Sequence, residues 1–279
     1  MKTVEESVIT AMDGTTTELL QFLPYILQDF WEIGSDPKTI IHLISKHFNQ
    51  KTTSNKTNTL KVLDLGCGKG AVSVKVAKAL GCYCHGIDAV QQFIDYAKIK
   101  AEEFEVADLC SFETGDIRKI VSQEDFSNNK FDVIVLGAIG PVLGDYFETL
   151  SKLNPLLQED GLIIIDDGYI RENRDYTHSQ AFHKSKITED IQRAGMLLAE
   201  EILFPNEKQS SGNSPSQLNY QKEFGNLVKR CKELIAEHPG KAHLFQEYID
   251  RQKAEYESFK EDIACCTFAI KKSCLKRQL

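Results

Sequence analysis

The sequence predicts an α/β fold: a doubly wound, mostly parallel seven-stranded sheet, preceded by helices and interrupted by a helical hairpin just before its last strand. Three observations predict it. Short apolar runs alternate with segments of helical periodicity between residues 60 and 204, which is how parallel strands covered on both faces read in sequence. A glycine-rich turn joins the first apolar run to the first helical segment of that region. Residues 217–259 repeat apolar positions at helical spacing on either side of Pro239-Gly240. With 279 residues and 42% apolar content the chain buries a full core without disulfide or metal staples.

The elements follow in order. Leu19, Phe22, Leu23, Ile26, Leu27, Phe30 and Trp31 recur at helical spacing and predict a helix over 19–31, after a polar, acidic start over 1–18. Asp36 caps a second helix that starts at Pro37 and turns Ile40, Ile41, Ile44 and Phe48 inward. Residues 49–59 hold only polar residues and read as a linker, so residues 1–58 form an N-terminal helical segment and 59–279 the α/β domain. Strands are expected at 60–65, 82–87, 109–114, 131–136 and 162–166, with helices near 71–80, 91–105, 116–121 and 145–157. Thr188 is expected to cap a helix ending at Gly195, ahead of a sixth strand over 196–204. An insertion over 206–260 then precedes the last strand at 263–270. It carries more apolar surface than a solvated loop needs, so it is expected to form either a lid over a pocket or a homodimer contact.

Charge and composition narrow the function. The net charge of −8 opposes the basic surface used on phosphate backbones, so nucleic acid is disfavoured as a partner. No apolar stretch reaches the roughly 20 residues of a membrane span, and no leader pattern opens the chain, so a cytoplasmic protein is expected. The eight cysteines include the pairs Cys82 and Cys84, and Cys265 and Cys266, but no metal-binding spacing; buried, reduced thiols and no metal are expected.

The chemistry lies in Asp64-Leu65-Gly66-Cys67-Gly68-Lys69-Gly70. A strand that ends in such a loop and runs into a helix brings backbone N–H groups close to a ligand. Gly66, Gly68 and Ala71 also fit the looser spacing of dinucleotide-binding enzymes, which keeps a nicotinamide-dependent oxidoreductase among the alternatives. Two carboxylates shift the balance. Asp64 would repel a pyrophosphate and attract an amino-acid ammonium, and Asp88, closing the second strand, is placed for ribose hydroxyls. A ribose and an amine without phosphates describe S-adenosylmethionine.

Val62-Leu63-Asp64-Leu65-Gly66-Cys67-Gly68-Lys69-Gly70, Gly86-Ile87-Asp88, Gly115-Asp116-Ile117 and Phe131-Asp132-Val133-Ile134-Val135-Leu136 together resemble the class I, Rossmann-like S-adenosylmethionine-dependent methyltransferases. The resemblance covers about residues 60–205. It implies methyl transfer, with S-adenosylhomocysteine as the product. It also implies cofactor contacts at Asp64, Gly66, Cys67, Gly68, Gly70, Asp88, Ala89, Asp116, Ile117 and Leu136. Helix capping is the structural alternative for Asp88 and Asp116.

A small-molecule acceptor is expected. The Asn/Asp-Pro-Pro-aromatic segment of enzymes acting on base or glutamine nitrogens is missing, since Leu136-Gly137-Ala138-Ile139 stands in its place. Metal-assisted catechol chemistry needs carboxylates after both the fourth and fifth strands, and only Asp166 and Asp167 are present. The candidates for a general base are His178, His183, Tyr169 and Asp167, all read as following the fifth strand. Arg171 and Arg174 are candidates for holding an acceptor carboxylate, against the simpler reading of solvated surface. Tyr25 and Trp31 are candidate acceptor contacts from the N-terminal helix, against a role in core packing. A non-catalytic module that binds S-adenosylmethionine and holds a partner through the hairpin is the remaining alternative.

Overall fold

A computed structural model describes residues 2–48, 59–123, 126, 129–172, 176–177, 180–204 and 215–273, with the side chains of 215–220 and 260 left aside. Its sheet runs in the order β3-β2-β1-β4-β5-β8-β7. The strands are β1 (Lys61–Leu65), β2 (Tyr83–Asp88), β3 (Cys110–Thr114), β4 (Phe131–Gly137), β5 (Leu157–Ile170), β7 (Met196–Leu203) and β8 (Ile263–Lys272). A two-residue strand, β6 (Phe182–His183), lies beside the end of β5. The first five strands are parallel, and β8 runs antiparallel between β5 and β7. Strand order therefore reverses between β1 and β4, and an open α/β sheet forms its ligand crevice beyond the carboxyl ends of the strands at that reversal.

Helices cover both faces: α3 (Pro37–Phe48), α4 (Ala71–Leu80), α5 (Gln91–Glu103), the single turn α6 (Ile117–Ile120), α7 (Tyr146–Leu153) and α8 (Lys184–Arg193). On one face Ile40, Leu43 and Ile44 of α3 pack with Val74 of α4 against Val133 and Val135. On the other, Leu150 and Leu153 of α7 and Ile187 and Ile191 of α8 cover Ile134, Ile163 and Phe268. The cysteines Cys82, Cys84, Cys231 and Cys266 are buried free thiols.

Beyond the sheet, the hairpin α9 (Pro215–Glu237) and α10 (Ala242–Glu261) packs on the N-terminal segment rather than standing free. Leu227, Cys231, Leu244, Phe245 and Tyr248 share a core with Ile9, Leu19, Leu23 and Ile26. Arg230 locks the two together, with Nε and Nη2 donating to Asp29 at 2.7 and 2.9 Å and Nη1 to Glu233 at 3.0 Å.

Four expectations need correction. The helix expected over 19–31 is a 3₁₀ turn, Thr17–Phe22, continuing into the short α2 (Leu23–Ile26). Pro24 has no amide hydrogen and tolerates only the first turn of a helix, so the chain restarts there. A further helix, α1 (Val4–Ala11), forms in the stretch read as a polar start, closed by a capping box between Thr3 and Glu6. Thr188 lies inside α8 rather than at its start, its hydroxyl donating to the Lys184 carbonyl at 2.9 Å. Finally, β5 does not stop at Asp166 but pairs with β8 as far as Ile170 opposite Ile263.

Candidate functional site

At the strand-order reversal, β1 ends in Asp64 and Leu65 and the glycine loop turns into α4. Gly66 N and Cys67 N both donate to the Ile87 carbonyl, at 2.8 and 3.0 Å, which ties the loop to β2. Gly66 sits at φ +72°, and a Cβ there would lie 2.4 Å from Ile139 Cγ2, so both backbone and space require glycine. Asp88 completes the loop. Its Oδ2 accepts from Gly68 N at 2.9 Å and its Oδ1 from Val90 N at 2.8 Å, so one carboxylate fixes the loop and the start of α5 together.

The loop floors a cleft of about 990 Å³, measured out to its open mouth. Asp64, Gly66, Cys67, Gly68, Asp88, Ala89, Asp116 and Ile117 line it, as do Trp31 and Gly137. Leu136 and Gly70 do not: Leu136 is buried in the core behind β4, and Gly70 backs onto Ala97 and Phe112. The side chain of Leu136 alternates away from the cleft, which is lined instead by the next residues, Gly137 to Ile139.

Asp64 is 2% exposed and accepts from the Ser73 hydroxyl at 2.6 Å. Burial pushes its carboxyl up to about 6, against the Ser73 bonds that hold it down; Asp88 and Asp166 add to the rise. Burial also raises Asp88, against its three backbone amide bonds. Asp116 caps α6 through Arg118 N at 3.1 Å and pairs with the Arg118 guanidinium at 2.8 and 2.9 Å, which holds its carboxyl below the usual range. Arg118 Nη1 continues to the Lys2 carbonyl and the Ser7 hydroxyl, at 2.9 and 2.7 Å, latching α1 across the cleft.

Lys69 has a role the motif does not announce. Its Nζ donates to the carbonyls of Leu27 and Phe30 at 2.5 and 2.7 Å and lies over the rings of Tyr96 and Phe93. In return, Trp31 Nε1 donates to the Lys69 carbonyl at 3.0 Å. The glycine loop and the N-terminal segment are thus bonded to each other in both directions.

A second chamber, about 1250 Å³ out to solvent, opens between the ends of β4 and β5 and the hairpin. It shares Ala11, Met12, Ile33 and Ala138 with the first cleft. Its polar walls are Asp13, Asp166, Asp167, Gln180, Gln252 and Glu255. Asp167 accepts from the Tyr146 hydroxyl at 2.8 Å and the Gly168 amide at 2.7 Å, and burial pushes it up to about 6.

Of the residues considered for acceptor chemistry, the structure brings Asp167 to the chamber and Trp31 to the first cleft. Tyr169 is buried and stacks on Phe268 inside the sheet's covered face, and Arg171 donates to the Ile263 carbonyl at 3.0 Å along the β5–β8 edge. His183 lies in β6, packed beside β5. Tyr25 donates to Glu233 at 2.8 Å on the outer side of the hairpin. None of these four lines either space. His178 and Arg174 lie outside the described residues. The capping box at Thr3 has a sequence signature, Thr followed three residues later by Glu, whereas nothing in the sequence pairs the chamber carboxylates Asp13 and Glu255.

A family model described as a methyltransferase domain matches residues 56–237. A solved S-adenosylmethionine-dependent methyltransferase from Geobacter sulfurreducens, in complex with S-adenosyl-L-homocysteine, superposes with a TM-score of 0.69 at 20% identity, covering 91% of this chain and 98% of that one. Among curated relatives, the ubiquinone biosynthesis O-methyltransferase of Actinobacillus pleuropneumoniae is 36% identical over 110 residues, 37% of this chain and 43% of that protein. A hybrid PKS-NRPS synthetase of Penicillium citrinum is 23% identical over 141 residues, half of this chain but only 4% of that protein.

Proposed function

Because this chain belongs to the methyltransferase-domain family, among the class I S-adenosylmethionine-dependent enzymes, we propose that the glycine-loop cleft binds S-adenosylmethionine and that the adjoining chamber holds a small-molecule acceptor. One observation carries the reading. Carboxylates Asp64 and Asp88 flank the loop, while both cations in the described cleft wall, Lys69 and Arg118, are already bonded to protein carbonyls or to Asp116. A pyrophosphate would find repulsion and no free cation there; a ribose and an ammonium find acceptors.

When bound, S-adenosylmethionine supplies an already activated methyl group on sulfonium. The chain's own work is to align, enclose and handle protons. Asp64 attracts the amino-acid ammonium, Asp88 the ribose hydroxyls, and α1, latched by Arg118, covers the cleft from solvent. Alignment of this kind contributes up to roughly 7–11 kcal/mol. Asp167, held by Tyr146 in the chamber, is the best-placed of the candidate bases. The hairpin supplies Tyr248, Gln252 and Glu255 to the chamber while its apolar face is covered within the chain, which favours the lid over the dimer contact. Arg230→Ala is then expected to raise the acceptor KM several-fold with the Kd for S-adenosylhomocysteine unchanged; equal changes in both would remove the lid assignment.

Calorimetry tests the cofactor. S-adenosylhomocysteine is expected to bind and NADH not to; the reverse ends the proposal. The binding should depend on pH, because only ionised Asp64 attracts the ammonium. With its carboxyl pushed up to about 6, affinity is weak below that pH and gained as pH rises through it. Between pH 5 and 7 we expect about a ten-fold gain, absent in Asp64→Asn.

A further inference from the structure

We infer that the acceptor chamber selects a small organic cation, an amine, with Asp166 Oδ2 as the carboxylate oxygen that meets its ammonium group. The inference rests on reading the neighbouring cleft as the cofactor site. It starts from the signs of charge. Four carboxyl groups, Asp13, Asp166, Asp167 and Glu255, face the chamber, and no Lys or Arg does so among its described lining residues. An anionic acceptor would meet the ionised carboxylates with no cation in the described wall to offset them.

A carboxyl-lined wall alone would not identify a ligand, but Asp166 adds an open acceptor. It is 3% exposed, its Oδ1 accepts from the Thr267 hydroxyl at 2.5 Å, and its Oδ2 has no hydrogen-bond partner. The Ser35 hydroxyl and the Asp36 amide lie close enough to favour the ionised form of Asp166, but neither makes a formed hydrogen bond to Oδ2, and Ser35 Oγ is likewise buried without one. A buried carboxylate oxygen without a donor is costly, and a ligand N–H removes that cost. Asp167 differs, since both of its oxygens are occupied.

The opposite wall is adaptable in charge. Gln252 Nε2 donates to Asp13 Oδ2 at 3.2 Å and to Glu255 Oε2 at 3.4 Å, so two carboxyl groups crowd one amide. Burial, and then the neighbouring Asp13, push Glu255 well above the usual carboxyl range, so Glu255 favours a proton that an arriving cation displaces to solvent. A metal ion fits less well than an organic cation: among the described residues no three His, Cys, Asp or Glu side chains converge tightly enough to hold one. Carboxylates spread over a chamber of about 1250 Å³ suit a larger molecule with a charged nitrogen.

Calorimetry on the full chain, with and without saturating S-adenosylhomocysteine, tests this with matched probes on two scaffolds: tyramine, tyrosol and 4-hydroxyphenylacetate, and butylamine, butanol and butyrate. On at least one scaffold the amine is expected to bind about ten-fold or more tightly than its alcohol and carboxylate, the effect of one charge-assisted bond. Asp166→Asn and Glu255→Gln are each expected to remove most of that preference while S-adenosylhomocysteine affinity, which also reports folding, is retained. Equal or better binding of the alcohol or carboxylate, no amine binding on either scaffold, or an undiminished amine preference in both variants overturns the inference. Failure of S-adenosylhomocysteine to bind wild-type protein instead overturns the cofactor reading, and the titrations without it still decide the amine question.

Discussion

Asp88→Ala is expected to weaken S-adenosylhomocysteine binding by at least about 100-fold and to lower stability by about 2 kcal/mol. The reason is that one side chain does two jobs. Its oxygens accept from the amides of Gly68 and Val90, and each lost charge-assisted bond that leaves a buried N–H without an acceptor costs about 1–3 kcal/mol. The same carboxylate faces the cleft where a ribose is expected. Two ligands separate the jobs in calorimetry. Adenosine is expected to bind wild-type protein more tightly than 2′,3′-dideoxyadenosine, and the alanine variant should not distinguish them. If the variant loses stability but still prefers the ribose hydroxyls, Asp88 shapes the loop and nothing more. Asp88→Asn is no conservative control, because one amide acceptor becomes a donor pointed at a backbone N–H.

Lys69→Met should lower Tm by about 2–8 °C and loosen residues 17–35, read as faster hydrogen exchange or proteolysis there. Methionine keeps the apolar stem against Phe93 and Tyr96 and removes the cost of burying an ammonium, which argues for a small effect. Against that, the carbonyls of Leu27 and Phe30, just past the end of α2, both lose the Lys69 ammonium as a donor. The Leu27 carbonyl keeps the Phe30 amide at 3.0 Å, so the Phe30 carbonyl is the one left unpaired, at about 1–3 kcal/mol; we expect the loss to win by about 1–2 kcal/mol, and 1 kcal/mol moves Tm by about 2–4 °C in a chain of this size. Burial pushes Lys69 down to about 8. The unfolded chain therefore holds the extra proton between about pH 8 and 10, and wild-type stability gains there relative to the variant. Neutral Lys69 still has two N–H donors for its two carbonyls, so the anchor survives that titration. An unchanged Tm would show that the N-terminal segment is held by its apolar contacts alone.

The parts of the site legible in sequence are those made within a few residues of each other. Asp64, Gly66, Gly68, Asp88 and Asp116 sit at the ends of short strands, and the strand–turn–helix pattern places them at one sheet edge whatever surrounds it. The end of the fifth strand is not legible in the same way. Asp167 and Tyr169 read as following the fifth strand, but antiparallel pairing with β8 carries β5 on to Ile170, and the side chains of a strand alternate between its two faces. That pairing joins residues about a hundred positions apart, through a strand that follows the insertion.

What the sequence by itself determined about this protein is the layered α/β architecture, the glycine loop, its two flanking carboxylates and the existence of the hairpin. Each follows from local periodicity or from spacing over fewer than about thirty residues. Only the tertiary structure decided that Lys69 holds the Leu27 and Phe30 carbonyls beyond α2, that Arg118 latches α1, and that Asp13 meets Glu255 across a chamber floored by Asp166. Those relations join residues dozens to hundreds of positions apart. They are set by which apolar faces bury each other, and packing of that kind leaves no periodic trace in the sequence.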